Sequence, residues 1–346
     1  MDLQRDMERP SEAVRLEERG FSLIEVMIAL VISILVVGSG YTVLYTQSQM
    51  SSINRQVVQT QQNVRVAMEL MTQDLRAAGF GMNGAVGACN TAIVPADNNP
   101  AGDDTGPDAV SLVVPTSIST LATPGAPGPF NTITLQKGDI ALVTPDGFGA
   151  GSAISINGTV SGSVNAIAGD VIILTSTIGA PATFPVGSQV YWLRCIPYAV
   201  STVAATCGGV APCLLRNGVA IADGIEDLQL AYACDGCDGS VADDVLDDMN
   251  TSGDFDTADF VSNDTWAAGS VVPDTIRVVR VSIVARQTQL EQRSEGGTLA
   301  INTPLALQVD DHLHSDDAGF DLSSYQQLRR RLYTRTVQVR NMGLDS

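Results

Sequence analysis

The stretch Arg19-Gly20-Phe21-Ser22-Leu23-Ile24-Glu25-Val26, with the apolar run behind it, decides the fold. Val26 to Tyr45 is twenty residues without a charge, the length that crosses a bilayer as a helix. One carboxylate, Glu25, stands at its start, just after the Gly20-Phe21 step. Helical patterning continues beyond the run. Met50, Ile53, Val57, Val64, Met68, Met71 and Leu75 recur at spacings of three, four and seven, with Gln, Asn, Arg, Glu and Asp between them. The periodicity predicts one helix from Ser22 to about Ala78, apolar all round over residues 21–45 and amphipathic over 46–80. At 1.5 Å per residue such a helix is about 85 Å long, more than any soluble core needs. Gly38 and Gly40 are its weak points, each costing about 1 kcal/mol against Ala. Small residues there suit close packing between helices or a local loosening when the segment leaves the bilayer. Gly79, Gly81 and Gly84 end the helix.

The rest of the chain has a different composition. The 346 residues carry a net charge of −19, and Lys137 is the only lysine. An acidic chain with no basic block before its C-terminus argues against a nucleic-acid partner. Gly and Pro are plentiful and aromatics few, which suits a loop-rich β domain over residues 81–346. All six cysteines, Cys89, Cys195, Cys207, Cys213, Cys234 and Cys237, follow the apolar run. An even number on one side points to an oxidising compartment. The run therefore reads as an anchor with the bulk of the chain outside the cytoplasm. Arg15 and Arg19 before it and Arg55 after it add little about orientation.

Residues 1–20 are polar, with six acids and four arginines. A secretory signal has its apolar segment before the cleavage site; here it comes after the Gly-Phe step. A short polar leader, Gly, Phe, and Glu five residues into the mature chain resembles the type III signal of type IV prepilins and related pseudopilins. The net-acidic leader departs from that family's usually basic ones, although Arg19 still precedes Gly20. The resemblance implies cleavage by the prepilin peptidase between Gly20 and Phe21 and N-methylation of Phe21. It also implies that Glu25 pairs with the amino terminus of a neighbouring subunit. That amine stays cationic near neutral pH, so the pair would be charge-assisted and would set helix register. Two further segments, Asp223-Gly-Ile-Glu-Asp-Leu-Gln-Leu-Ala-Tyr232 and Arg329-Arg-Arg-Leu-Tyr-Thr-Arg-Thr-Val-Gln-Val-Arg-Asn341, resemble the PilW family of type IV minor pilins. That family is related to the J-type minor pseudopilin of type II secretion. Residues 85–220 are compatible with the resemblance without carrying it.

The fold expected is α+β and type IV pilin-like, a long N-terminal helix packed on a loop-rich antiparallel β head. Strands are expected at Ala109–Val114, Thr132–Leu135, Asp139–Thr144, Asp170–Thr175, Gln189–Arg194, Cys213–Arg216, Ile225–Ala233, Thr275–Arg286 and Leu332–Arg340. Ile276, Val278, Val281 and Ile283 alternate with Arg277 and Arg280, which predicts a half-buried antiparallel strand.

Cys234-Asp-Gly-Cys237 ends an expected strand beside Asp235 and Asp238. Thiolate activation needs positive surroundings, so a local structural disulfide is the simpler reading. No second pair or nearby His completes a zinc site. Cys207 and Cys213 bracket a Gly/Pro loop and suit each other, leaving Cys89 for Cys195. This is one assignment among the fifteen that six cysteines allow. The loop of Asp243, Asp244, Asp247, Asp248, Asn250, Asp254, Asp256, Asp259, Asn263 and Asp264 offers hard oxygen ligands. Asp254, Asp256 and Asp259 are its calcium candidates, although the EF-hand spacing fails and a solvated acidic loop explains the composition as well. His312 and His314, at strand spacing, share a face and are within reach of a metal. In a polar loop, Asp310 to Asp317, they read as ordinary exposed residues. Arg329 to Arg331 read as a solvated strand or helix end. No nucleophile elbow, phosphate loop or zinc-protease motif is present, so no catalytic residue and no resident cofactor are expected.

The expected function is that of a minor pilin, a structural and assembly-priming subunit of a type IV pilus. It starts in the inner membrane as a single-pass precursor with its head in the periplasm and ends in the pilus at the cell surface. The partners implied are other minor and major pilins, the prepilin peptidase, the inner-membrane assembly platform and, before assembly, membrane lipid. A type II secretion minor pseudopilin shares the same physics. A pilus-tip adhesin and a membrane-anchored thiol oxidoreductase using Cys234 and Cys237 are rivals of other classes.

Overall fold

The computed structural model describes residues 20–96, 104–125, 129–179, 184–236, 242–262, 273–288 and 306–340. The leader up to Arg19, Cys237, Asn263 and Asp264 lie outside the described residues. Two units are distinguished, Met1–Asn54 and Arg55–Ser346. Helix α1, Leu23–Ala77, starts in the first and ends in the second.

In the first unit Gly20, Phe21 and Ser22 precede the helix without regular secondary structure, and the Ser22 carbonyl accepts N–H bonds from Glu25 and Val26. The large apolar side chains from Phe21 to Leu44 are all exposed. The hydroxyls of Ser33, Ser39, Thr42 and Thr46 donate to the carbonyls of Ala29, Val36, Ser39 and Thr42. These hydroxyls are thus satisfied within the helix, as hydrocarbon surroundings require. Gly38 and Gly40 lie inside the helix without breaking it.

In the second unit Val64, Ala67, Met68, Met71 and Leu75 of α1, at helical spacing, enter the main core. The strands are β1 Ile93–Ala96, β2 Ala109–Thr120, β3 Phe130–Thr134, β4 Ala153–Ile156, β5 Val160–Ala168, β6 Val171–Ile178, β7 Gln189–Ser201, β8 Cys213–Arg216 and β9 Val219–Asp223. They form one sheet in the order β1-β2-β7-β4-β5-β6-β3, with β8 beside β7 and β9 beside β8. β7 is its spine. One edge pairs with β2 from Val110–Tyr198 to a last rung at Thr120–Gln189. The other edge pairs with β4 over Val190–Leu193 and with β8 over Tyr198–Ser201. A second sheet joins β10 Ile225–Cys234, β11 Ile276–Arg286 and, later in the chain, β14 Arg330–Gln338 in that order. A two-rung hairpin, β12 Gln308–Val309 and β13 His312–Leu313, precedes β14.

Two cores result. α1, β2, the far half of β7 and the second sheet share the main one. Residues 121–192 enclose another, built on Ile154, Ile156, Ile172 and Leu174, with Phe148 edge-on to Trp192. Gly81 and Gly158 lock the helix end to this lobe. Both have positive φ; a Cβ on Gly81 would meet Gly158 Cα at 2.8 Å, and one on Gly158 would enter the Phe80 ring.

Several expectations are corrected. Asp139–Thr144 is not a strand: Asp139–Val143 is a short helix, α2, running into a 3-10 turn over Thr144–Asp146. Gly138, at φ 87°, turns the chain, its N–H donates to Asp170, and Asp139 accepts from the Ser119 hydroxyl. A run as short as Ile-Ala-Leu-Val has no period that distinguishes the two states. β11 is not half-buried; it is the central strand of its sheet, and its Val and Ile side chains are buried on both faces. β1, β4, β5, β9, β12 and β13 are not among the expected strands.

Candidate functional site

The residues expected to serve processing and assembly, Gly20, Phe21 and Glu25, lie in the first unit. Gly20 and Phe21 precede the first helical turn, with Phe21 82% exposed and nothing within contact of a Cβ placed on Gly20. Glu25 sits in the first turn of α1 and is exposed.

In the second unit α1 is tied to the sheet by polar contacts. Asp74, 5% exposed, accepts from the Tyr198 hydroxyl at 2.6 Å and from Arg216 Nε at 2.7 Å. Burial pushes the Tyr198 hydroxyl well above its ordinary pKa, and the bond to Asp74 adds to the effect. The disulfides are Cys89–Cys195, which joins the chain after α1 to β7, and Cys207–Cys213. Cys234 is buried and disulfide-bonded, while Cys237 lies outside the described residues. Beside Cys234, Asp235 accepts the backbone N–H groups of Asp243 and Asp244 and faces Arg277 at 3.5 Å.

The acidic loop is folded by its own carboxylates. Asp259 accepts from the backbone of Asp256 and Asn250, and Asp256 from that of Ala258, closing a capping box. The N–H from Asp256 leads in holding the Asp259 carboxyl below its ordinary pKa. Asp254, Asp256 and Asp259 do not bring their ligand atoms together. Among the described residues the convergent group is Asp227, His312 and His314, whose ligand atoms lie within 4.8 Å of one another.

That group overturns the reading of the histidines. Both are inside, at 1% and 2% exposure. One face of β10 gives Leu228, Leu230 and Tyr232 to the main core. The other carries Asp227 and Gln229, which are also buried. Strand β13 and the turn after it bring the histidines to Asp227. His312 Nδ1 lies 3.0 Å from Asp227 Oδ2, and its Nε2 lies 3.0 Å from Asp317 Oδ1. His314 Nδ1 donates to the Leu307 carbonyl at 3.0 Å. Its Nε2 has no hydrogen-bond partner and lies 3.7 Å from Asp227 Oδ2. The two rings stack at 4.7 Å. Gln229 Nε2 donates to Asp227 Oδ1. Burial alone would lower the His312 pKa; the bonds to Asp227 and Asp317 outweigh it and push it up to about 10.

Nearby, Arg330 is only 3% exposed in its side chain, so Arg329–Arg331 are not simply a solvated end. Its guanidinium forks onto Glu226 and stacks on the Tyr325 ring. Arg286 reaches Glu226 from β11, and Arg280 pairs with Asp310. The sequence signal for all of this was the density of charge in residues 310–331 together with Glu226 and Asp227. The pattern did not reveal that the segment folds back onto β10.

Two family models match the chain. Residues 205–341 match the type IV pilus-assembly protein W family, PilW, and residues 15–41 match the prokaryotic N-terminal methylation motif. They bear out the resemblance to PilW-family type IV minor pilins. Residues 42–204, which include the lobe, fall outside both matches. No curated protein and no solved structure matches the chain.

Proposed function

We propose that this chain is a minor pilin, a structural subunit that helps to prime a type IV pilus. The observation that carries the reading is the uncovered Gly20-Phe21 step, followed directly by Glu25 and an exposed apolar helix. A peptidase at the cytoplasmic face of the inner membrane cleaves between Gly20 and Phe21 and methylates the Phe21 amine. Residues 21–45 hold the subunit in the membrane with its head in the periplasm, where the disulfides form. On extraction the exposed apolar face, costly in water at about 25 cal/mol per Å², is covered by the helices of neighbouring pilins. Glu25 then meets a neighbour's amine. The work is assembly and needs no catalytic group.

Mass spectrometry of the mature N-terminus tests this. The expected species begins with N-methyl-Phe21, and any other N-terminus overturns the processing reading. One observation favours a second role for the head: the lobe at 121–192 has a core of its own and lies outside both family matches. A pilus-tip adhesin would use such a lobe. Loss of surface attachment with normal pilus number, on removing it, would favour that role.

A further inference from the structure

We propose that Asp227, His312 and His314 form a buried transition-metal site in the head, suited above all to Zn2+, which staples the segment before β14 onto strand β10. Three observations carry it. The first is convergence: three potential ligand atoms from residues 85 positions apart lie within 4.8 Å of one another, all on buried side chains. Zinc–nitrogen and zinc–oxygen bonds near 2.0–2.1 Å in a tetrahedron place ligand atoms about 3.3 Å apart. The separations from Asp227 Oδ2, 3.0 Å to His312 Nδ1 and 3.7 Å to His314 Nε2, bracket that value.

The second is an unpartnered nitrogen. His314 donates from Nδ1 to the Leu307 carbonyl, so Nε2 is the nitrogen that faces Asp227. It is buried without a hydrogen-bond partner, 3.7 Å from the carboxylate. A buried polar atom without a partner costs free energy, and a metal ion held between it and Asp227 removes that cost.

The third is the surround. In metal sites the far nitrogen of a ligating imidazole donates to a carboxylate or a backbone carbonyl. Here Asp317 serves His312 and Leu307 serves His314, while Gln229 holds the second oxygen of Asp227. On binding, His312 releases its Nδ1 proton to solvent and turns that lone pair to the metal. Two imidazoles and one carboxylate disfavour calcium and magnesium and suit zinc. A water completes four-coordination from the adjoining cavity of about 480 Å³, which His314 and Asp317 help to line.

The test uses the full chain in detergent micelles under non-reducing conditions, stripped with chelator and titrated with Zn2+ and, for its visible spectrum, Co2+. The expected result is one metal ion per chain, tetrahedral Co2+ bands, and a higher Tm with zinc than in chelator. His314→Phe removes Nε2 together with the Nδ1 donor to Leu307; it should abolish binding and erase the difference in Tm between zinc and chelator, whatever the Tm in chelator. Asp317→Asn, at the exposed rim of the site, should weaken zinc affinity about 10- to 100-fold and is the safer variant if His314→Phe does not fold. A parent chain that takes up no metal, or either variant binding like the parent, overturns the proposal. The site is independent of N-terminal processing, so its failure leaves the pilin reading untouched.

Discussion

A carboxylate at the edge of an apolar helix needs a partner once water is gone; toward a bilayer centre it costs about 2.5–3.5 kcal/mol. Glu25 is such a group, in the first turn of α1. Glu25→Ala should therefore leave cleavage after Gly20 intact while lowering the amount of subunit in sheared pili, read by N-terminal mass spectrometry and immunoblot of the filament fraction. Normal incorporation would remove the pairing role. At this scale the sequence was legible where one residue carries its meaning locally. The N-terminal methylation motif, matched over residues 15–41, announces itself in the six consecutive letters from Gly20 to Glu25. His312 is the opposite case. Its partners are Asp317, five residues on, and Asp227, 85 residues back. Nothing in the acidic letters around it reveals that β10 will bury it.

Elements were legible in proportion to how often their pattern repeats. α1 was expected over Ser22 to Ala78 and runs Leu23–Ala77 because heptad-like spacing accumulates over 55 residues. β8 has the expected bounds, Cys213–Arg216. β4 was invisible for a physical reason: all four of its residues are buried, so it shows no alternation. Its one polar side chain, Ser155, is satisfied by the Val160 carbonyl. What holds the elements together is also non-local. Asp74 joins α1 to β7 and β8 through Tyr198 and Arg216, 124 and 142 residues away. Asp74→Ala leaves the Arg216 charge partly buried and unmatched, which should destabilise the chain by about 3 kcal/mol. Chemical denaturation of the parent and variant measures this; a loss under about 0.5 kcal/mol, the level of ordinary surface changes, would mean that the contact is not structural.

For the whole molecule, the two family matches cover the N-terminal signal and the later part of the head, while the lobe has a core of its own but shares the main sheet through β4 and meets the end of α1 at Gly158. Replacing residues 121–188 with Asn-Gly, a two-residue hairpin turn, should leave a folded subunit that keeps the Asp227–His312–His314 group. The variant should remain soluble in detergent, with the Cys89–Cys195 bridge intact on non-reducing gels. Scrambled or free thiols would show that the lobe is needed for the main core to form. The apolar side chains that β7 turns toward the lobe, Val190 and Trp192, would need polar replacements in that variant.

The rung between Thr120 and Gln189 explains why such surgery is reasonable. Thr120 and Gln189 are neighbours on one ladder, so the excursion between them closes at its base, while its strands β4, β5, β6 and β3 extend the same sheet beyond the other edge of β7. Doubling the length of such an excursion adds only about 0.6 kcal/mol of closure entropy. An excursion closed at its base can therefore change in length at little entropic cost, while the seat of α1 on the sheet and the buried histidines lie outside it.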